Sequence, residues 1–306
     1  MNEEGNREET SYVNSRGVKM EAIEILKLTS DTLFKAFMMS KHTNRLKARF
    51  IHLVTGIDEE LLLHAEYQSV ELPVRHKKNK IYRTDIVVKI DKHLLNIEMN
   101  ADYYPEYKVK NRGYMNVIAS ESFETGEKYD NRFIVQINID DFDAYGLDEL
   151  IYEFRFMEVK HHILEDETYA SYHINLSKIE DLCYTSDERS ELVNILKIFK
   201  ATSGEELDSL RGEVYMDEAI DEIKRICRDK NIIGLYNAEK VANKVMNNRL
   251  DYAKQQGYDE GEEAGIQKNR VEIITRMLKE GLPEETIIQI TNITLEELDK
   301  LKKDLG

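Results

Sequence analysis

Two short runs of alternating apolar and polar residues, joined by two polar positions, are the clearest pattern in the chain. Alternate residues of a β-strand share one face. The apolar faces of the two runs merge only in one hairpin register, since a slip of one residue would turn one strand over. That register makes residues 91–92 the turn and sets Asp85 opposite Glu98. It pairs Ile86 with Ile97, Val88 with Leu95 and Ile90 with His93.

The predicted register brings two carboxylates together, with Asn100 beside Glu98 on the same strand face. Two carboxylates on neighbouring strands suit a hard cation such as Mg²⁺, which takes oxygen ligands and keeps several waters. Such an ion can activate water and stabilise charge on a phosphate. The alternative interpretation is that Asp85 and Glu98 are solvated acids of an edge hairpin. Spacing alone favours that alternative, because acids are common on strands and pairs need not be functional.

Helices and further strands are predicted on both sides of the hairpin. Helical periodicity covers 18–39, with Thr29-Ser30-Asp31 able to interrupt it and cap a second helix, and continues over 45–54 and 107–123. Strand patterns cover 67–74, 132–139, 151–159 and 169–176, and a basic loop, 75–80, precedes the hairpin. His161-His162 lies between two of these strands. Neighbouring strand residues point to opposite faces, so we place this pair on a surface loop.

From residue 186 onward the pattern is helical to the end of the chain. Glycines recur every four residues from Gly257 to Gly265 in an acidic segment, which indicates a flexible connection or a loose helix. Thr294 and Glu297 form a predicted capping box for the last helix. The last two helices resemble a helix-turn-helix, but the acids that open the second would repel phosphate. An interaction or oligomerisation module is therefore favoured over a DNA reader.

Composition narrows the classes of protein that fit. The 306 residues are 41% hydrophobic and 33% charged, with a net charge of −16, which counts against a simple nucleic-acid binder. The segment 73–112 is locally basic, with ten Lys and Arg residues against five acids. The two cysteines fit neither a metal nor a disulfide pattern, and no apolar run is long enough to cross a membrane. We expect a cytoplasmic protein without a membrane partner.

Several motifs in the same order resemble one family. Asp85, the hairpin and the strand Asn96-Ile97-Glu98-Met99-Asn100 resemble the core of PD-(D/E)XK nucleases, and more closely their recombination-promoting nuclease and transposase branch. The flanking segments 29–35, 112–114, 126–129 and 278–298 resemble motifs of the same branch. The resemblance implies an α/β fold, a restriction-endonuclease-like mixed sheet flanked by helices with a helical C-terminal region.

The resemblance also implies a chemistry. It predicts a metal-dependent DNA endonuclease with Mg²⁺, or Mn²⁺ or Ca²⁺, held by Asp85 and Glu98. Asn100 would position the attacking water, and Asp31 would add a contact near the metal. An equally weighted interpretation makes Asp31 a helix N-cap. The candidate nucleic-acid contacts are Lys77, Lys78, Lys80, Arg83 and Arg112.

Asn100 departs from the family pattern. The superfamily usually has Lys at this position and the branch often has Gln. Asn can orient water but cannot supply positive charge. The alternative function is therefore a catalytically inactive relative that binds DNA or a protein partner.

We predict four segments: a disordered tail over 1–17, a nuclease-like domain over 18–185, a helical region over 186–256 and a helical tail over 257–306. The apolar stripes of the last segment predict a homo-oligomer through the C-terminal helices.

Overall fold

A computed structural model of the chain describes residues 11–13, 19–21, 24–69, 71–72, 82–121, 132–147, 149–180 and 187–305. The basic loop with Lys77, Lys78 and Lys80 lies outside the described residues, as does the side chain of Arg83.

The described residues form the following strands and helices, in chain order. The strands are β1 (Ser11–Val13), β2 (Lys19–Glu21), β3 (Glu66–Gln68), β4 (Glu71–Leu72), β5 (Tyr82–Arg83), β6 (Ile86–Ile90), β7 (His93–Asn100), β8 (Phe133–Asp140), β9 (Ile151–Met157) and β10 (Leu164–Asn175). The helices are α1 (Asp31–Met39), α2 (Asn44–Thr55), α3 (Glu59–Leu62), α4 (Tyr107–Glu121), α5 (Asp187–Lys200), α6 (Gly204–Ser209), α7 (Val214–Ile226), α8 (Lys230–Lys279), α9 (Glu284–Thr291) and α10 (Leu295–Leu305).

A six-stranded mixed sheet positions the candidate site. Its strand order is β3-β6-β7-β8-β10-β9, in which β8 runs parallel to β7 and to β10 while the other neighbours are antiparallel. The predicted α/β fold, a mixed sheet flanked by helices with a helical C-terminal region, is confirmed. Two further two-stranded pairs, β1 with β2 and β4 with β5, lie outside this sheet.

The predicted hairpin register is confirmed at its three apolar-face pairs. β6 pairs with β7 through Ile86 and Ile97, Val88 and Leu95, and Ile90 and His93. Asp91 takes a left-handed conformation in the turn, with φ at 45°. Aspartate tolerates this conformation better than most residues, which explains how Asp91-Lys92 closes a tight turn.

The apolar face of the sheet packs on helices and forms the main core. One buried cluster joins residues of β6, β7, β8 and β10 with residues of α1, α2, α5 and α7. Phe34 and Phe37 of α1 both contact Phe199 of α5, with ring centroids 6.2 and 6.0 Å apart. Helices α5 and α7, which follow residue 186, therefore belong to the same core as the sheet.

Two predicted elements differ in the structure. The predicted helix over 18–39 is wrong in its first part, because Lys19–Glu21 forms a strand with Ser11–Val13, a segment that we had placed in the disordered tail. The helix begins only at Asp31, where the Ser30 side chain accepts a hydrogen bond from the backbone N–H of Leu33. The predicted strand over 67–74 is split between the short strands β3 and β4.

The chain divides into two compact units, 1–237 and 238–306. The glycine-spaced segment, which we predicted to be a flexible connection or a loose helix, lies within the 50-residue helix α8. In the second unit Ile274, Ile287, Ile293 and Leu298 bury one another in a small core of their own. The predicted capping box is confirmed, since Glu297 N–H donates to Thr294 Oγ1 and Thr294 N–H donates to Glu297 Oε2.

The apolar stripes of the tail therefore cover one another in part, which weakens the argument that a partner chain must bury them. Nine large hydrophobic residues of α8 remain exposed in the second unit: Val241, Val245, Met246, Leu250, Tyr252, Tyr258, Ile266, Val271 and Ile273. None of the described helices is long and apolar enough to span a membrane.

Removal of residues 257–306 tests this organisation. We expect the sheet domain to stay folded, with a melting temperature within about 3 °C of the full chain, because every residue of the main core precedes residue 237. If the C-terminal helices mediate self-association, light scattering will report a lower oligomeric state for the truncated protein. An unfolded truncated protein would show that the tail supports the sheet domain.

Candidate active site

Asp85 and Glu98 meet at the open end of the central hairpin. Asp85 precedes β6 and lies opposite Glu98, one pair beyond the pairing of Ile86 with Ile97. The backbone N–H of Asp85 donates to Glu98 Oε1 at 3.1 Å, and the N–H of Met99 donates to Asp85 Oδ2 at 2.9 Å. Each carboxylate is therefore fixed through one oxygen by the backbone of the opposite strand.

The second oxygen of each carboxylate faces a lysine at longer range. Lys35 Nζ of α1 lies 3.5 Å from Asp85 Oδ1, and Lys110 Nζ of α4 lies 3.6 Å from Glu98 Oε2. The side chain of Glu98 is 1% exposed and that of Asp85 is 14% exposed. Two buried carboxylates thus stand between two cations that come from different helices.

Burial and mutual repulsion dominate the electrostatics of this pair. Burial raises the pKa of Glu98 to about 8, and the charge of Asp85 adds to the effect. Burial also raises the pKa of Asp85 to about 6, against the hydrogen bond from Met99 and the charge of Lys35. Burial lowers the pKa of Lys110, but the charge of Glu98 and the neighbouring Tyr114 and Tyr104 together outweigh this and leave the pKa above its usual range. A positive charge between the carboxylates would relieve this repulsion.

Asn100 is the third predicted catalytic residue, and the structure holds its amide firmly. Asn100 is 5% exposed, and its Nδ2 donates to Asp140 Oδ1 at 2.9 Å. Tyr107 donates its hydroxyl to the other oxygen, Asp140 Oδ2, at 2.5 Å. His173 Nδ1 lies 2.8 Å from the Tyr107 hydroxyl. An ionised carboxylate only accepts hydrogen bonds, so Asp140 selects the amide orientation of Asn100.

Asp140, Tyr107 and His173 were missed from the sequence. They belong to a polar face that crosses the sheet, where Asn96, Glu98 and Asn100 of β7 stand beside Gln136, Asn138 and Asp140 of β8. The signal was present in β8, whose polar residues alternate with Val135, Ile137 and Ile139. A strand paired on both sides rarely carries polar side chains at every second position without a function or a buried network.

The remaining candidates lie around this centre. Asp31 is not the N-cap of α1, since Ser30 has that place. Its carboxylate binds Lys35 Nζ at 2.5 Å, and its charge adds to the effect of burial in raising the pKa of Asp85. Arg112 is exposed on α4, and its charge acts on Tyr145. His161 and His162 lie in the turn between β9 and β10, as predicted.

The donor set fits a hard divalent ion of the kind predicted. Asp85 Oδ1 and Glu98 Oε2 are the oxygens that no backbone N–H binds in the contacts above, and carboxylate oxygens are the ligands that Mg²⁺ and Mn²⁺ prefer. Within the described ranges no cluster of three or more His, Cys, Asp or Glu residues could hold a metal. An ion here would rely on two carboxylates and keep several waters, which is usual for Mg²⁺ at a phosphate-cleaving site.

The mixed sheet, the hairpin and the carboxylate pair define a protein of the PD-(D/E)XK nuclease fold. A family model described as "PD-(D/E)XK nuclease family transposase" matches residues 28–253, well over half of the chain. The chain therefore belongs to that family. A comparison with curated proteins finds no match.

The raised pKa of Glu98 predicts how the metal-free protein responds to pH. A carboxyl whose pKa is higher in the folded state stabilises the fold below its unfolded value near 4.5, and that contribution is lost as pH rises towards about 8. We expect Glu98→Gln to be more stable than wild type at pH 8 by about 2–4 kcal/mol, with the difference shrinking below pH 5. Urea unfolding in EDTA measures it.

Glu165→Gln removes an exposed carboxylate of β10 and serves as the matched control. Its difference from wild type should stay small at both pH values. A Glu98→Gln variant whose advantage does not change between pH 5 and pH 8 would contradict the assigned electrostatics.

Proposed function

We propose that this protein is a metal-dependent endonuclease that hydrolyses phosphodiester bonds of DNA. The observation that carries the proposal is the geometry of Asp85 and Glu98. One oxygen of each carboxylate accepts a hydrogen bond from a backbone N–H, and the other oxygen faces a lysine ammonium. Family membership supports a nuclease or transposase chemistry, and the donor set supports Mg²⁺ or Mn²⁺.

In this proposal each residue has a distinct task. Asp85 and Glu98 hold the metal, which supplies water activation and neutralises charge on the scissile phosphate. Asn100 orients the attacking water through the carbonyl end of its amide, because Asp140 engages the NH₂ end. Asp31 acts indirectly, since it shares Lys35 with Asp85 and so sets how much positive charge reaches that carboxylate.

DNA would bind at the part of the sheet where Asp85, Glu98 and Asn100 lie. Lys110 and Arg112 of α4 carry positive charge there, and Arg112 is exposed enough to contact a phosphate. Lys77, Lys78, Lys80 and Arg83 remain proposed contacts from the basic segment before the hairpin. The net charge of −16 predicts that binding depends on this local cluster and weakens steeply with salt.

Cleavage of supercoiled plasmid tests the proposal. We expect nicking that requires Mg²⁺ or Mn²⁺ and stops in EDTA. Asp85→Asn and Glu98→Gln remove a metal charge partner without changing side-chain size, and each should lower the rate at least about a hundredfold. Glu165→Gln, on an exposed part of β10, should cleave like wild type.

The same assay separates the alternative function. A wild-type protein that binds DNA but does not nick it with either metal would be a catalytically inactive relative, as the Asn at position 100 first suggested. Cleavage that survives both carboxylate substitutions would place the activity elsewhere or in a contaminant.

A second experiment addresses Asn100. Asn100→Gln keeps the amide and should retain activity within about tenfold, whereas Asn100→Ala should lose roughly tenfold to a thousandfold, the range for one positioned polar group. Single-turnover rates at saturating Mn²⁺ give the comparison. An Ala variant as fast as wild type would remove Asn100 from the catalytic set.

A further inference from the structure

Position 100 leaves the proposed site without a positive side chain of its own. Hydrolysis of a phosphodiester adds negative charge to the phosphate oxygens in the transition state, and a protein cation aimed at that charge is a large source of rate. An Asn amide carries no net charge and cannot do this. A cation for this role has to reach the carboxylate pair from another element of the described structure.

Two lysines reach the pair, and they differ in how their charge is used. Lys35 Nζ lies 2.5 Å from Asp31 Oδ1 and 3.5 Å from Asp85 Oδ1, so two carboxylates share its charge. Lys110 Nζ lies 3.6 Å from Glu98 Oε2, at a looser distance that leaves room for a further partner. The Lys110 side chain is 31% exposed while Glu98 is 1% exposed, so the lysine stands on the open side of the pair.

The position of Lys110 is built into the fold. Tyr107 fixes the start of α4 to the sheet through Asp140, and residues three apart on a helix share a face. The Lys110 ammonium also lies over the rings of Tyr114 and Tyr104, 5.2 and 5.8 Å from their centroids. Aromatic rings attract a cation and limit where it can move. The long Lys110 side chain is therefore held towards Glu98.

We propose that Lys110, from helix α4, is the catalytic cation of this site and supplies the positive charge that Asn100 cannot. Its ammonium donates hydrogen bonds to a non-bridging oxygen of the scissile phosphate and stays protonated throughout. A water oxygen forms the new bond to phosphorus and the ester P–O bond breaks; the proton that the water loses passes to solvent, and the departing oxygen takes up one proton from solvent. This inference rests on the proposed nuclease function.

Single-turnover cleavage of supercoiled plasmid at saturating Mn²⁺ tests the assignment. We expect Lys110→Met to lower the rate about a hundredfold to a thousandfold. Lys110→Arg keeps the charge and should stay within about tenfold of wild type. Lys108→Met, which removes an exposed lysine of the same helix, is the matched control and should stay within about threefold.

Two further measurements on the same proteins detect a merely structural role of Lys110. Calorimetry gives the Mn²⁺ affinity, and thermal melting gives the stability of the fold. In our proposal Lys110→Met binds Mn²⁺ at least as tightly as wild type, because a positive neighbour of the ion has been removed. A rate loss matched by weaker Mn²⁺ binding would mean that Lys110 only organises Glu98 and would overturn the assignment. Should Lys110→Met fail to fold, Lys110→Gln carries the same expectations.

The remaining outcomes separate this inference from the function beneath it. A wild type that cleaves, with Lys110→Met equally fast, overturns the role of Lys110 and leaves the nuclease intact. A wild type that does not cleave with any divalent metal overturns both.

Discussion

The structure around the site depends on one unfavourable interaction, the close approach of two buried carboxylates at the end of the central hairpin. Water solvates neither charge well at this depth, and the two charges repel each other. Several neighbouring contacts reduce that cost. Backbone N–H groups hold one oxygen of each carboxylate, and lysines from α1 and α4 face the other oxygens. A fold that keeps such a pair together accepts a loss of stability, which is typical of functional sites.

The sheet makes this centre possible because its two faces differ in chemistry. The apolar face forms the main core with α1, α2, α5 and α7, and that burial offsets the cost of the polar face. On the polar face, amide side chains form hydrogen bonds between and along the strands: Asn96 of β7 donates to Gln136 of β8, and Gln136 donates to Asn138 of the same strand. This network ends at Asp140, Tyr107 and His173, which anchor α4 and so position both Asn100 and Lys110.

The pattern of apolar and polar residues along the chain predicts some structural features correctly and does not reveal others. The hairpin register followed from merging two apolar faces, and the capping box at Thr294 followed from residue spacing. The segment over 18–39 was misassigned at its start because helical periodicity does not report strand pairing between Ser11–Val13 and Lys19–Glu21. Lys110 could not be placed from sequence, because its contact with Glu98 depends on how α4 packs on the sheet. The apolar residues of the tail could not reveal their partners either, since a small core within one chain and an interface between chains have the same pattern.

We propose that Asp85 and Glu98 hold one divalent ion together. The most direct measurement is anomalous diffraction from crystals of the protein soaked in Mn²⁺. We predict one peak bonded to Asp85 Oδ1 and Glu98 Oε2, with waters completing the coordination and with Lys110 still beside the site. No peak between these two carboxylates at saturating Mn²⁺, or an ion bound by other residues, would contradict the account.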